Sequence, residues 1–281
     1  MKISVFYDHI LQAKEQSGKS MSSLLQMVYD EGIRGIEIRL SDLLQDETIP
    51  SRLQKAGLQI SCVFDFYEMG LKNERSRGIQ HIDMAEKLGA NRILVVPGFL
   101  EEEEAETFHL VADSDKIAVF MEQNKSIMKM KENLLELVAY AKKSNVLVTV
   151  EDFDDRKSPL SRMYAIKWFL EQVPGLAYTL DMGNFIYSNE DVLQAWELLQ
   201  DYIVHVHCKN RGEDMTVSGG INPGLLPIST GEGYLPVGKL VENLQEIGYE
   251  GYLAIEHFDA PDQEDCIKRS AKYLRDITLL Y

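Results

Sequence analysis

Residues 244–256 read Leu-Gln-Glu-Ile-Gly-Tyr-Glu-Gly-Tyr-Leu-Ala-Ile-Glu. A helical run through Val237, Leu240, Val241, Leu244 and Ile247 stops at Gly248. An apolar strand begins shortly afterwards and closes on Glu256. Glycine supplies the left-handed backbone that a helix end needs. The unit recurs: helical patterns stop at Gly32, Gly57 and Gly89, with Pro174-Gly175 as a variant, and an apolar strand follows each. These strands are near-continuous apolar runs rather than alternating ones. That is the pattern of strands covered by helices on both faces.

Working outward, strands are predicted at Ile3–Tyr7 (ending at Asp8), Gly35–Ile38, Leu58–Phe64 (ending at Asp65) and Arg92–Val96. Four more close on Glu151, Asp181, His207 and Glu256, the last within Ile203–Cys208 and Tyr252–Glu256 respectively for the imidazole and the final carboxylate. Helical spacing appears between them, for example at Met130, Leu134, Leu137, Val138 and Ala141. Parallel strands alternating with helices over this length predict an α/β fold, a single parallel eight-stranded (β/α)8 TIM barrel spanning residues 1–281 as one domain. The alternative is a doubly wound open sheet, but no Gly-x-Gly-x-x-Gly follows the first strand. A Ser/Gly-rich loop is expected after Asp8. Residues 99–128, which open on the acidic run Glu101–Glu104, read as a solvated loop. Residues 209–236, rich in Gly and Pro, read as a long loop of the kind that is functional or disordered. Both are expected at the barrel mouth.

The chain has 281 residues, 45% of them hydrophobic, and a formal net charge of −16. A chain of this size buries a large core. Its charge repels phosphate backbones and anionic lipid, and no basic patch offsets it, so no nucleic-acid or membrane partner is expected. No apolar run approaches the about 20 residues of a membrane span, and the N-terminus lacks a signal-peptide pattern. Cys62, Cys208 and Cys266 show no metal-knuckle spacing and read as buried thiols of a cytoplasmic protein.

In a barrel of this kind the site lies at the C-terminal ends of the strands. Glu151, Asp181, His207 and Glu256 end strands five to eight. Three carboxylates and one imidazole suit a divalent metal: Mn2+, Mg2+, Co2+ or Zn2+. A bound dication would remove the repulsion among the three carboxylates. The competing reading gives each residue its own salt bridge or hydrogen bond. Lys209 lies on the same strand face as His207. It is a candidate for holding a substrate oxygen and, equally, for a structural salt bridge. Glu37, at the end of the second strand, is a candidate for binding substrate hydroxyls. His257 alternates away from Glu256 and is expected to be structural or to support the site from behind. Tyr7, Phe66 and Phe153 form either an apolar wall beside the substrate or ordinary packing.

The chain resembles the xylose isomerase-like TIM-barrel superfamily, the sugar phosphate isomerases/epimerases, over essentially its whole length. The resemblance is carried by Gly35-Ile36-Glu37-Ile38, Val150-Glu151, Leu180-Asp181-Met182-Gly183-Asn184, His205-Val206-His207-Cys208-Lys209-Asn210, Gly231-Glu232-Gly233 and Ala254-Ile255-Glu256-His257. The His-x-His-x-Lys strand and the Gly-Glu-Gly turn are the most specific. The resemblance implies Glu151, Asp181, His207 and Glu256 as metal ligands, and Glu151 and Glu256 as the catalytic acid/base pair. It implies a metal-dependent isomerase or epimerase of a small keto sugar or polyhydroxy ketone, working through a metal-stabilised enediolate. A dehydratase of an inosose-like keto-polyol is the enzymatic alternative. A non-catalytic sugar-binding barrel is the alternative of another class. Asn184 stands where many members carry His; it is expected to give substrate a hydrogen bond and is no strong metal ligand. Arg211 lies close to where epimerases often carry a substrate-binding Arg. A three-zinc endonuclease IV cluster lacks ligands, because Asp65-Phe66-Tyr67 and Val96-Pro97-Gly98 contain no His. The expected partner is a small sugar, and a homo-oligomer is compatible with this reading.

Overall fold

The computed structural model describes residues 1–111, 113–212 and 226–278. Among the described residues nine strands run in chain order: β1 (Lys2–Phe6), β2 (Gly35–Arg39), β3 (Gln59–Phe66), β4 (Arg92–Val96), β5 (Leu147–Glu151), β6 (Ala177–Asp181), β7 (Ile203–Gly212), β8 (Leu226–Ile228) and β9 (Tyr252–Glu256). Packing divides the chain into two compact units, Met1–Ser61 with His205–Tyr281, and Cys62–Val204. Both boundaries fall inside strands, β3 and β7.

In the first unit the strand order is β2-β1-β9-β7, all parallel, with β8 antiparallel to the end of β7. Phe6 pairs with Glu37, and Lys209 with Glu256. With Val5 opposite Ile255, that register puts Glu37, Glu256 and Lys209 at one level. Helices Tyr7–Ser17, Met21–Asp30, Val237–Glu246 and Gln263–Thr278 belong to this unit. They bury Ile10, Leu24, Leu240 and Leu274 without exposure to solvent. The helix Val237–Glu246 is followed by Gly248 at φ 71° with open space where a Cβ would be. The backbone conformation, not crowding, is what requires glycine there.

In the second unit β3, β4, β5 and β6 lie side by side and parallel. Strands β4 and β6 are buried along their whole length, as the apolar sequence predicts. Helices Arg75–Lys87 and Lys125–Ala141 meet at Gly78, where a Cβ would lie 2.1 Å from Leu137 Cδ2. That glycine permits close helix approach.

Three expectations are corrected. The loop predicted after Asp8 is the helix Tyr7–Ser17, whose Tyr7, Ile10 and Ala13 are buried and which ends at Gly18 with φ 69°. Only the end of the Ser/Gly-rich stretch is a loop. The predicted loop at 99–128 contains helices Glu102–Leu110 and Ser114–Gln123 and the start of Lys125–Ala141. Its acidic run is a helix N-terminus: the Glu101 N–H donates to the Glu104 carboxylate at 3.2 Å, and Glu102, Glu103 and Glu104 occupy the first turn. Negative charge is favourable there. Asp113 and Asn124 cap the next two helices. Within the predicted loop at 209–236, residues 209–212 extend β7 and 226–228 form β8. Residues 213–225 lie outside the described residues.

Candidate metal centre

The first unit assembles one connected polar cluster. The period of two along β7 places His205, His207, Lys209 and Arg211 on one face. Glu37, expected at the end of the second strand, lies in the middle of β2, which continues to Arg39, and receives both imidazoles: His205 Nε2 lies 2.8 Å from Oε2, and His207 Nε2 lies 3.2 Å from Oε1. All three side chains are fully buried. Burial by itself raises the Glu37 carboxyl. The charges and hydrogen bonds of His207 and His205 outweigh it and hold the group well below the usual carboxylate range. An ionised carboxylate only accepts, so both Nε2 atoms carry hydrogen.

That tautomer turns His207 Nδ1 toward Glu256 Oε2, 3.0 Å away. Glu256 Oε2 accepts no hydrogen bond, so this approach is not one. A carboxylate oxygen facing an imidazole lone pair in a buried site calls for a shared cation. Either a metal ion or a second proton on His207 meets that need. Metal–nitrogen and metal–oxygen bonds of about 2.0–2.2 Å put neighbouring ligand atoms about 3 Å apart, so the donor set fits an ion. Phe6 packs its edge on the His207 ring at 5.0 Å between centroids and helps hold its orientation. The other Glu256 oxygen, Oε1, is 2.5 Å from Lys209 Nζ. Burial pushes the Glu256 carboxyl up, but Lys209 and His207 win and hold it well below the ordinary value.

The second unit presents Glu151 and Asp181 as the last residues of β5 and β6, both buried. The pairing of Glu151 with Thr179 places Asp181 beyond the last paired residue of β5. Asp181 Oδ1 accepts the Gly183 N–H at 2.7 Å. A further carboxylate, Asp152, has no exposure to solvent. Its Oδ1 accepts the Tyr178 hydroxyl at 2.5 Å and the Asp181 N–H at 2.8 Å. Burial, with Glu151 adding repulsion, pushes the Asp152 carboxyl up to about 8 against the pull of its hydrogen bonds. Sequence reasoning missed Asp152. The signal available was a second acid directly after Glu151.

Among the described residues of the first unit, Glu37, His205 and His207 form a group that could hold a metal ion; His207 and Glu256 of this unit, and Glu151 and Asp181 of the other, are the expected ligands. His205 and His207 engage both oxygens of Glu37, an expected substrate-binding residue. The amide of Asn184, an expected substrate-binding residue, donates to the Asp152 main-chain oxygen at 2.8 Å. Lys209 makes the salt bridge that was one of its two expected roles. Arg211 lies farther along β7, opposite Pro227 of β8. Of the aromatic wall, Phe66 and Phe153 meet edge to face at 5.8 Å, and Phe99 joins Phe153 at 5.7 Å. Tyr7 lies in the other unit. His257 stacks on His9 at 4.7 Å, and its N–H donates to His9 Nε2 at 2.9 Å. No spacing in the sequence pointed to His9.

The Gly231-Glu232-Gly233 turn has a packing cause. A Cβ on Gly233 would come 2.0 Å from Asn210 Oδ1, and one on Gly231 would come 2.5 Å from the Tyr273 ring. Asn210 in turn donates to Thr230 O at 2.8 Å and accepts the Leu235 N–H at 3.0 Å. It pins the turn to the end of β7.

A family model described as xylose isomerase-like TIM barrel matches residues 25–277. The inosose dehydratase of Clostridium perfringens is 22% identical over 221 residues, 72% of this chain and 70% of that protein. The crystal structure of the IOLI protein with a bound zinc atom superposes with a TM-score of 0.72 at 16% identity, over 100% of this chain and 99% of that one. The 3-keto-D-glucoside 4-epimerase YcjR of E. coli gives a TM-score of 0.67 at 17% identity, over 98% and 99%. Structural neighbours thus include epimerases and dehydratases, and some hold zinc or magnesium. At these identities the structural likeness shows the fold.

Proposed function

This chain belongs to the xylose isomerase-like TIM barrel family, whose fold is a closed parallel eight-stranded barrel with surrounding helices, and from that premise we propose a metal-dependent isomerase or epimerase of a small keto sugar or polyhydroxy ketone. The metal ligands in this reading are Glu151, Asp181, His207 and Glu256, within one barrel domain. The observation that carries it is the 3.0 Å approach of His207 Nδ1 to a Glu256 oxygen that accepts no hydrogen bond.

A divalent ion there supplies Lewis-acid stabilisation of negative charge on substrate oxygens. The chain supplies the rest. Glu151 and Glu256 carry the proton from and to carbon. Glu256 is held ionised by Lys209, the form that can accept a proton. Glu37 holds His207 in the tautomer that offers Nδ1, the usual arrangement of a metal-ligating imidazole and its supporting carboxylate. Three carboxylates with one imidazole favour Mn2+, Mg2+, Co2+ or Zn2+ over soft-metal chemistry.

Dehydration of an inosose-like keto-polyol is the second reading. The Lys209 ammonium, 2.5 Å from Glu256, is a proton source beside a base, as departure of a β-hydroxyl requires, and the curated relative carries the name inosose dehydratase. The reading of another class is a sugar-binding barrel without catalysis. The partner in each case is a small sugar. The buried thiols of Cys62, Cys208 and Cys266 suit a reducing, cytoplasmic setting, and no described helix is long and apolar enough to cross a membrane.

The test is metal content, followed by incubation of candidate keto-polyols in deuterated water. About one equivalent of divalent metal, lost in a Glu151→Gln, Glu256→Gln double variant, together with deuterium uptake at a carbon next to the carbonyl, supports the proposal. Loss of water from the same substrates selects the second reading. A protein that takes up neither Mn2+, Co2+ nor Zn2+ sinks both enzymatic readings.

A further inference from the structure

The parallel pairing of β5 and β6 ends at Glu151 opposite Thr179. One layer below, the strands are joined by the Thr179 hydroxyl donating to Thr149 Oγ1 at 2.9 Å. Asp181 lies past the last pair, where no residue of β5 remains to meet its main chain. The Asp152 side chain takes that place, and its Oδ1 accepts the Asp181 N–H at 2.8 Å. The same oxygen is gripped by the Tyr178 hydroxyl at 2.5 Å. The Asp152 main-chain oxygen accepts from Asn184 at 2.8 Å, so the residue is tied to β6 and to the turn after it at three points.

We propose that Asp152 is a positioning residue of the metal centre, clamping the main chain of Asp181 to the end of β5 and so setting the separation between Glu151 and Asp181. This rests on the metal reading given above. Asp152 neighbours Glu151 in the chain and alternates to the opposite face of the strand. It acts through Asp181 and does not itself bind metal. Tyr178 sits one position before Thr179 and likewise faces away from Asp181 along β6. It fixes Asp152, and Asp152 fixes Asp181.

The clamp needs an accepting oxygen at Oδ1. Asparagine keeps such an oxygen in the same place and alanine does not. Asp152→Asn and Asp152→Ala both remove the acid, so comparing them separates position from charge. The experiment titrates metal-free protein with Co2+, followed by the visible absorption of the bound ion and by competition with Zn2+. Loss of partners behind a metal ligand weakens binding by about 10–100-fold. That loss and an altered Co2+ spectrum are expected for Asp152→Ala, with affinity and spectrum restored in Asp152→Asn. If Asp152→Ala does not fold, Tyr178→Phe decides. It removes the hydroxyl that holds Oδ1, and it is expected to shift the Co2+ spectrum and weaken binding. Wild-type affinity and spectrum in Asp152→Ala, or in Tyr178→Phe where that variant decides, overturn the inference while leaving the metal reading intact. A wild-type protein that binds no Co2+ or Zn2+ overturns both.

Discussion

His207 Nδ1 lies 3.0 Å from Glu256 Oε2, in a buried setting where the opposite ring nitrogen, Nε2, is held by Glu37. The two facing atoms need a cation, and a metal ion and a second ring proton make different predictions. A metal ion stabilises the folded chain by mass action, by about 2.7 kcal/mol at one hundred times its Kd. We expect the midpoint of thermal unfolding to rise with Mn2+, Co2+ or Zn2+ and to fall back with chelator. His207→Ala should abolish the response. A wild-type midpoint indifferent to all three ions would favour the proton.

Glu37 is buried, ionised and bonded to two imidazoles. Removing one partner from a buried charged network leaves the others unpaired, at a cost of about 3–5 kcal/mol. Glu37→Ala is therefore expected to lower the urea midpoint strongly and to weaken metal binding as well. Glu37→Gln keeps one acceptor and should fall between. Equal stability of wild type and Glu37→Ala in urea titrations would show that the network contributes nothing to folding.

His81 links acid sensitivity to the core. Its Nδ1 meets the Tyr67 hydroxyl at 2.9 Å and its Nε2 meets Val63 O at 3.0 Å. Burial lowers its pKa to about 3 from the ordinary 6.5. The folded state prefers the neutral ring, so the contribution is complete above the unfolded value and is lost as pH falls from 6.5 toward 3. At pH 5 the lost stability is about 2 kcal/mol, at 1.36 kcal/mol per pH unit. A His81→Gln variant should show a shallower decline of stability between pH 7 and pH 5 than wild type, measured by urea unfolding. Parallel declines would assign the acid sensitivity elsewhere.

Gly233 has no room for a methyl group, because Asn210 Oδ1 lies 2.0 Å from where its Cβ would be. Gly233→Ala must displace the amide that pins the Thr230 and Leu235 main chain. Overpacking of this kind costs about 1–3 kcal/mol. Calorimetry should show a lower unfolding temperature, and the end of β7 should exchange its amide protons faster.

Lys209 and Glu256 are 2.5 Å apart. Replacing Lys209 with Met removes the main charge that holds the Glu256 carboxyl down. The carboxyl then protonates at a higher pH, so the acid limb of substrate deuterium exchange should move upward. If the reaction is a dehydration that uses Lys209 as its acid, water loss should fall further than exchange does.

The alternation of helix and strand was legible because a helical period, a glycine stop and a continuous apolar run are local properties. Glu151, Asp181 and Glu256 were legible for the same reason: each closes such a run, whereas His207 sits inside β7, which continues to Gly212. The helices at 102–110 and 114–123 were missed because a run of acids was read by composition. At a helix N-terminus the same charges are favourable, and nothing in composition marks the terminus.

The sequence by itself determined the strand-and-helix rhythm and the polar tip of each strand, because both depend on neighbours within a few residues. Only the tertiary structure decided what each tip does. Glu37 meets His205 and His207 across 168 and 170 residues of chain, Lys209 meets Glu256 because β7 and β9 share a register, and Asp152 reaches Asp181 where the β5–β6 pairing ends. Hydrogen-bond partners are chosen by strand register and burial, and neither is a property of any one stretch of chain.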